Sequence, residues 1–199
     1  MDTPVLDASV DPNIVTTPTF AGFGVRLLAS IVDFIVLLPL LGASVYFTTM
    51  NLSLEGVIGV TILSLLYKPL MEGVYGATVG KMVCKLKVVA AGYQPITMQQ
   101  AWMRYLPWLI AGAFSLYVNY VVFSTPGIED IDGFLELSEF MEEATGGLGT
   151  LNTINQFLQW LPLVSALFLL GNKRKQAAHD MVAETYVIRK DPTTGKFAG

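Results

Sequence analysis

The run Leu27–Phe47, LLASIVDFIVLLPLLGASVYF, constrains the fold more than any other part of the chain. Its 21 residues carry one formal charge, Asp33. As a helix the run rises about 31 Å, enough to cross the hydrocarbon core of a bilayer. A bilayer interior offers backbone amides no water, so the run has to be helical or part of a closed barrel. Three further segments read the same way: about 54–75, about 105–123, with aromatic residues at both ends, and the shorter 155–170, interrupted by Pro162. Composition agrees. Of 199 residues, 53% are hydrophobic and 14% charged, against roughly 25% charged in soluble domains. The expected fold class is an all-α membrane protein, a four-transmembrane-helix bundle spanning residues 20–190. It is flanked by a flexible N-terminal tail, 1–19, rich in Pro and Asp, and a C-terminal tail, 191–199.

Charge is distributed unevenly between the loops. Gly73–Arg104 contains Lys81, Lys85, Lys87 and Arg104 and no acid. The segment from Gly171 contains Lys173, Arg174, Lys175, Arg189, Lys190 and Lys196. The loop 124–154 contains seven acids, from Glu129 to Glu143, and no base. With four spans the two basic segments share one side, which the positive-inside tendency makes cytoplasmic. Both termini are then cytoplasmic and the acidic loop extracytoplasmic. Residues 1–20 hold no Lys, Arg or apolar h-region, so the first span is expected to act as its own insertion signal. The expected setting is the inner membrane of a prokaryote.

Ionisable residues within or beside the spans are the candidate site residues, because a charge in the bilayer costs about 2.5–3.5 kcal/mol on insertion scales. Arg26 and Asp33 lie seven residues apart on one helix face, about 10 Å apart along the axis. Two readings of Asp33 stand: a carboxylate that binds a cation or proton, and one half of a buried ion pair. Lys68 and Glu72, spaced i,i+4, either pair with each other or meet Asp33 and Arg26 across the helix interface. His179-Asp180 reads as a hydrogen-bonding pair or helix cap. Segment 85–90 alternates and ends in a turn, so it is either a short strand or an amphipathic surface segment. Residues 131–141 have the pattern of an amphipathic helix inside the acidic loop.

Several chemistries are excluded. One histidine and one cysteine, Cys84, leave no His-rich or Cys-based metal set. The segment Gly73–Lys81 is not a phosphate loop, because Tyr75 and Met82 stand where glycine and Ser/Thr are required. No serine sits in a nucleophile-elbow pattern. The expectation is a protein that is not an enzyme, has no cofactor, and binds no nucleic acid at its net charge of −4.

Taken together, several motifs resemble those of a known family. They are Arg26 at the start of the first span, Asp33 within it, the turn Gly76-Ala-Thr-Val-Gly-Lys81 followed by KLKVV, and Arg104 before the third span. The run Arg174-Lys-Gln-Ala-Ala-His-Asp180 then leads into Ala183-Glu-Thr-Tyr-Val-Ile. In order and spacing this set resembles the RDD family, named for one arginine and two aspartates, over about Ala21–Arg189. The matching positions are Arg26, Asp33 and Asp180; Cys84 departs from the glycine frequent there. The resemblance implies transport of an undefined ligand, in some members sodium/proton exchange. On that reading Arg26, Asp33, Lys68, Glu72, His179 and Asp180 would bind ligand or ion, and the partners would be the lipid bilayer, monovalent cations, protons and a second copy of the chain. The alternative is a non-transporting scaffold or accessory subunit of a membrane complex.

Overall fold

The computed structural model describes residues 19–131, 133–144, 149–171 and 174–190. The expected tails 1–19 and 191–199 lie outside these residues except for Thr19. The elements are α1 (Phe23–Thr49), α2 (Leu54–Tyr75), α3 (Val79–Val83), β1 (Leu86–Ala90), α4 (Met98–Phe123), α5 (Phe134–Ala144), α6 (Gly149–Gly171), α7 (Ala178–Val182) and β2 (Thr185–Arg189).

Among the described residues three helices, α1, α2 and α4, are long and apolar enough to cross a membrane. Their large side chains stay outward: Leu28, Phe34, Ile35, Leu63, Ile110 and Tyr117 are all exposed, as a lipid-facing surface requires. The segment expected to be a fourth span is helical, and its apolar stretch, Thr153–Leu169, is shorter. Helix α6 begins at Gly149, so the acidic loop is shorter than expected. Its middle forms α5, which overlaps the amphipathic helix expected at 131–141.

The boundaries have local causes. Ser53 caps α2 by accepting from the Gly56 amide, and Glu55 complements the positive end of the helix dipole. Gly76, at φ +72°, ends α2 in the left-handed conformation that glycine adopts without steric cost. Thr97 and Gln100 form a reciprocal capping box at the start of α4. That cap starts the helix at Met98 rather than 105, so Arg104 is two turns inside α4 and not in the loop ahead of it.

The all-α expectation needs correction. Strands β1 and β2 pair antiparallel, Leu86 opposite Arg189 and Ala90 opposite Thr185. Segment 85–90 is thus a strand, and its partner comes from the far end of the chain. Leu86, Val88, Val187 and Ile188 are buried, and Leu86, Val88 and Val187 pack with Ala21, Ala29, Ile96 and Ala101 in a compact core. The two strands also end matching units. Each of α3 and α7 is a five-residue helix closed by a residue at positive φ, Lys85 (57°) and Glu184 (53°), and followed by a five-residue strand. The closing hydrogen bonds correspond: Cys84 to Gly80 and Lys85 to Met82 in one unit, Ala183 to His179 and Glu184 to Met181 in the other. The sequence keeps a trace of this repetition in the Met-Val pairs, Met82-Val83 and Met181-Val182, and in Val88 and Val187 at the third position of each strand. The α3–β1 unit packs on α1, and α7 packs on α4 and α6. The two units thereby bring Lys81, His179 and Asp180 to the polar end of the bundle.

Candidate functional site

Two polar centres lie side by side at that end, and they solve the problem of a buried carboxylate differently. At the first, Asp33 is 3% exposed on α1. Its Oδ1 accepts from Tyr67 Oη (2.9 Å) and the Gly80 amide (2.7 Å), and its Oδ2 from Thr78 Oγ1 (2.7 Å). No cation touches it among the described residues. Thr78 also caps α3, and Tyr67 Oη accepts from the Val79 amide. Glycine at position 80 permits this approach. A Cβ there would stand 2.8 Å from Asp33 Cγ and closer still to the Ala29 carbonyl oxygen.

The second centre is ionic. Asp180 on α7 is fully buried. Its Oδ2 accepts from Arg26 Nη1 (2.6 Å) and the Ala177 amide (3.1 Å), and its Oδ1 meets Arg104 Nη1 (2.7 Å) and His179 Nε2 (3.2 Å). Arg104 continues the network through Nε to Glu72 Oε2 (2.9 Å) and through Nη1 to Thr185 Oγ1. Lys81 donates to the other oxygen of Glu72. Arg26 also holds the carbonyls of Ala21 (3.1 Å) and Lys175 (2.6 Å). One network therefore ties α1, α2, α3, α4, α7 and β2 together with charge-assisted bonds, which are shorter and stronger than neutral ones.

Burial alone would raise the Asp180 carboxyl, but Arg104, His179 and Arg26 overcome it and hold the group well below the usual carboxylate range. Burial pushes His179 below its ordinary value despite Asp180 beside it. Burial likewise lowers Lys81, with Glu72 opposing. A neutral His179 fits its partners if Nε2 carries the proton toward Asp180. Nδ1 then accepts from Ser165 Oγ (2.7 Å), and Ser165 accepts from the His179 amide (3.2 Å).

The expected pairings are revised accordingly. Arg26 and Asp33 share a helix face but do not pair, since 10 Å of axial separation leaves each with nearer partners. Lys68 and Glu72 do not pair with each other, nor with Asp33 and Arg26. Two cations from other elements, Lys81 and Arg104, reach Glu72, and Lys68 lies over the Trp108 ring at 5.6 Å. Of the two readings of His179-Asp180, Asp180 makes the cap, accepting from the Ala177 amide at the start of α7, while His179 Nε2 lies 3.2 Å from Asp180 Oδ1 without a hydrogen bond. Thr78, Tyr67, Gly80, Arg104, Lys81 and Thr185 are participants that single-residue reasoning about the spans misses. Arg104 and Lys81 read as loop charges, Thr78, Gly80 and Thr185 fall within the family motifs without a role of their own, and Tyr67 looks unremarkable in an apolar run.

Beside both centres lies a cavity of about 370 Å³ between α1, α2, α4 and α6. Its polar wall includes Arg26, Asp33, Lys68, Glu72, Lys81 and Arg104; Trp108 and Leu169 are on its apolar side. Trp108 stacks on Tyr105 (5.1 Å, 7°) and meets His179 edge-on (5.0 Å, 74°). Among the described residues no group of three His, Cys, Asp or Glu is placed to hold a metal ion.

Arg26, Asp33 and Asp180 thus anchor one connected polar end of a membrane bundle. Neither a curated protein nor a solved structure shows a significant match to the chain. The model of the RDD family does, over residues 20–184, a range that takes in the cavity and both polar centres apart from Thr185. The chain belongs to the RDD family of membrane proteins.

Proposed function

We propose that this RDD-family protein is a multi-pass membrane transporter whose ligand enters the cavity between α1, α2, α4 and α6. The cavity carries the proposal: it keeps about 370 Å³ open between apolar helices and lines it with charged side chains. Space of that size suits a small ligand, and charge at membrane depth is rarely retained without a partner or a task. The same reading takes α6 as a fourth span, both termini as cytoplasmic and the membrane as a prokaryotic inner membrane. The apolar stretch of α6 and the basic segments on one side of it support that count. Four spans are few for alternating access, so the working unit is a homo-oligomer.

Sodium/proton exchange is a narrower form of this proposal, favoured by Asp33 lining the cavity. In that form Asp33 would have to release Tyr67, Thr78 or the Gly80 amide before taking a cation, since the three occupy both of its oxygens. The scaffold reading accounts for the ion network, which braces α7 and β2 against the spans, and assigns the cavity no role.

The test uses the full chain in proteoliposomes, measuring sodium, proton, phosphate and acetate flux. Ala166, on the cavity wall, is replaced by Trp to fill the space. Flux of at least one of these ions is expected from the parent protein, with loss in an Ala166→Trp variant that assembles normally. Flux of none above protein-free vesicles sinks the transporter reading in favour of the scaffold. Proton flux that ignores a sodium gradient sinks only the exchange form.

A further inference from the structure

The charges lining the cavity are unequal. Arg26, Lys68, Lys81 and Arg104 face two carboxylates, Asp33 and Glu72. Adding Asp180, which lies behind Arg26 and Arg104, still leaves an excess of one positive charge. The carboxylates already have partners: Glu72 bonds Lys81 and Arg104, Asp33 bonds three neutral donors, and Asp180 bonds Arg26 through Oδ2 while its Oδ1 lies within ion-pair distance of Arg104 without a hydrogen bond. Lys68 alone among these cations has no carboxylate within ion-pair distance among the described residues. Its recorded contact is the Trp108 face. A cation–π contact is worth only about 0.5–1 kcal/mol at a partly exposed site, so an anion can draw the ammonium away at little cost.

The cavity's mouth indicates where such an anion comes from. Helix α6 packs chiefly on α4 and touches α1 at few positions, so the wall between α1 and α6 is thin. Leu27 on α1 lines the cavity and is also 49% exposed on the lipid-facing side. Gln159 on α6 is likewise both lining and exposed. Exposed lining residues on both sides of this thin wall fit a lateral opening toward the bilayer. Its inner end is charged, and its flank, at Phe23, Leu27 and Leu169, is apolar. Lys68 stands about two turns from the end of α2, about 10 Å along the axis, within reach of a lipid head group.

We infer that the cavity binds an anionic amphiphile, its phosphate or carboxylate head on Lys68 beside Trp108 and its chain leaving between α1 and α6. This deepens the cavity reading above and names the ligand's chemical class. Lys68 and Trp108 form the recognition pair. Arg26, Lys81 and Arg104 supply the surrounding positive field while remaining in their ion pairs.

Trp108 reports occupancy directly. With Trp102→Phe and Trp160→Phe, the full chain keeps one of its three tryptophans. The protein is reconstituted in vesicles containing dibrominated phosphatidylglycerol or dibrominated phosphatidylcholine, whose bromines quench a neighbouring indole. The expected result is an apparent affinity about fivefold higher for the anionic lipid, the size of one interfacial lysine. Lys68→Gln should bring the two lipids to parity, and Lys68→Arg should retain the preference and show that the fold survives substitution there. Equal quenching by both lipids overturns the inference, as does a preference unchanged in Lys68→Gln. Reversal by excess inorganic phosphate overturns the amphiphile in favour of a free anion bound by the same head-group chemistry. Because quenching reads occupancy and not flux, a protein that binds the lipid yet moves no ion fails as a transporter and keeps this site.

Discussion

Asp33 and Asp180 are both buried carboxylates, and their surroundings differ in kind. Asp33, inside a span, accepts three hydrogen bonds from neutral donors. Asp180, on the short helix after α6, is held by Arg26 and Arg104 with His179 alongside. The contrast follows from what each position can reach. Cationic side chains come from the ends of α1 and α4 and from α3, and converge on Asp180 and Glu72. Deeper in α1, hydroxyls and an amide stabilise the carboxylate without importing a second charge. The first centre therefore fixes the position of α3, and the second ties the far end of the chain to the bundle.

The largest expected effect is at Arg104. Arg104→Met removes one guanidinium from both Glu72 and Asp180, and losing one partner of a buried ion network costs about 3–5 kcal/mol. Thermal unfolding in detergent, followed by size exclusion, should show little folded protein. A loss no greater than that of Asp33→Asn would erase the distinction between the two centres.

Asp33→Asn should cost less, about 1–3 kcal/mol, because the amide turns a donor toward Tyr67, Thr78 or Gly80 and leaves a buried group unpaired. Abundance should fall while β1–β2 stays protected in hydrogen exchange. Normal abundance with altered ion flux would instead make Asp33 a ligand group.

A pH titration sharpens the ionic side. His179 has a folded pKa below its unfolded value, so the unfolded chain takes up the proton first as pH falls. The stability associated with neutral His179 is thus complete above about pH 7 and declines below about 6.5, by at most about 1.4 kcal/mol per pH unit. Asp180 is shifted in the same direction and adds its own loss below about pH 4. Melting temperature should be flat from pH 8 to 7 and then fall, and His179→Gln should flatten the first part of the fall. A rise on acidification would mean that His179 is charged in the folded protein.

Lys68→Gln should have the smallest effect on stability, about 0.5–1 kcal/mol, since it removes only the contact with Trp108. A much larger drop in melting temperature would place Lys68 in the brace and not on the cavity.

Much of this architecture is legible in the chain. Helix α2 has the expected bounds, 54–75, because an apolar run ends at a glycine able to take positive φ. The His179-Asp180 pair is local, and adjacency in sequence is enough to suggest it. The earlier start of α4 was also readable, from Thr97 and Gln100. The partners of Glu72 were not. Helical spacing favours Lys68 at i+4, but the carboxylate sits between Lys81 and Arg104, brought there by α3 and α4. Lys81 and Arg104 count as loop charges in a topology tally, yet both sit in ion pairs, Arg104 buried and Lys81 half-buried.

The sequence by itself determined that the chain is a membrane protein of mostly helical structure, where its apolar helices lie, and which family it belongs to. These follow from run length, hydropathy and local capping, all short-range properties of the chain. The tertiary structure decided which group answers each buried charge, that β1 pairs with β2, and that a cationic cavity opens beside them. Those depend on the relative placement of separate elements. A periodicity of 3.6 tells which side chains share a face but not what that face meets.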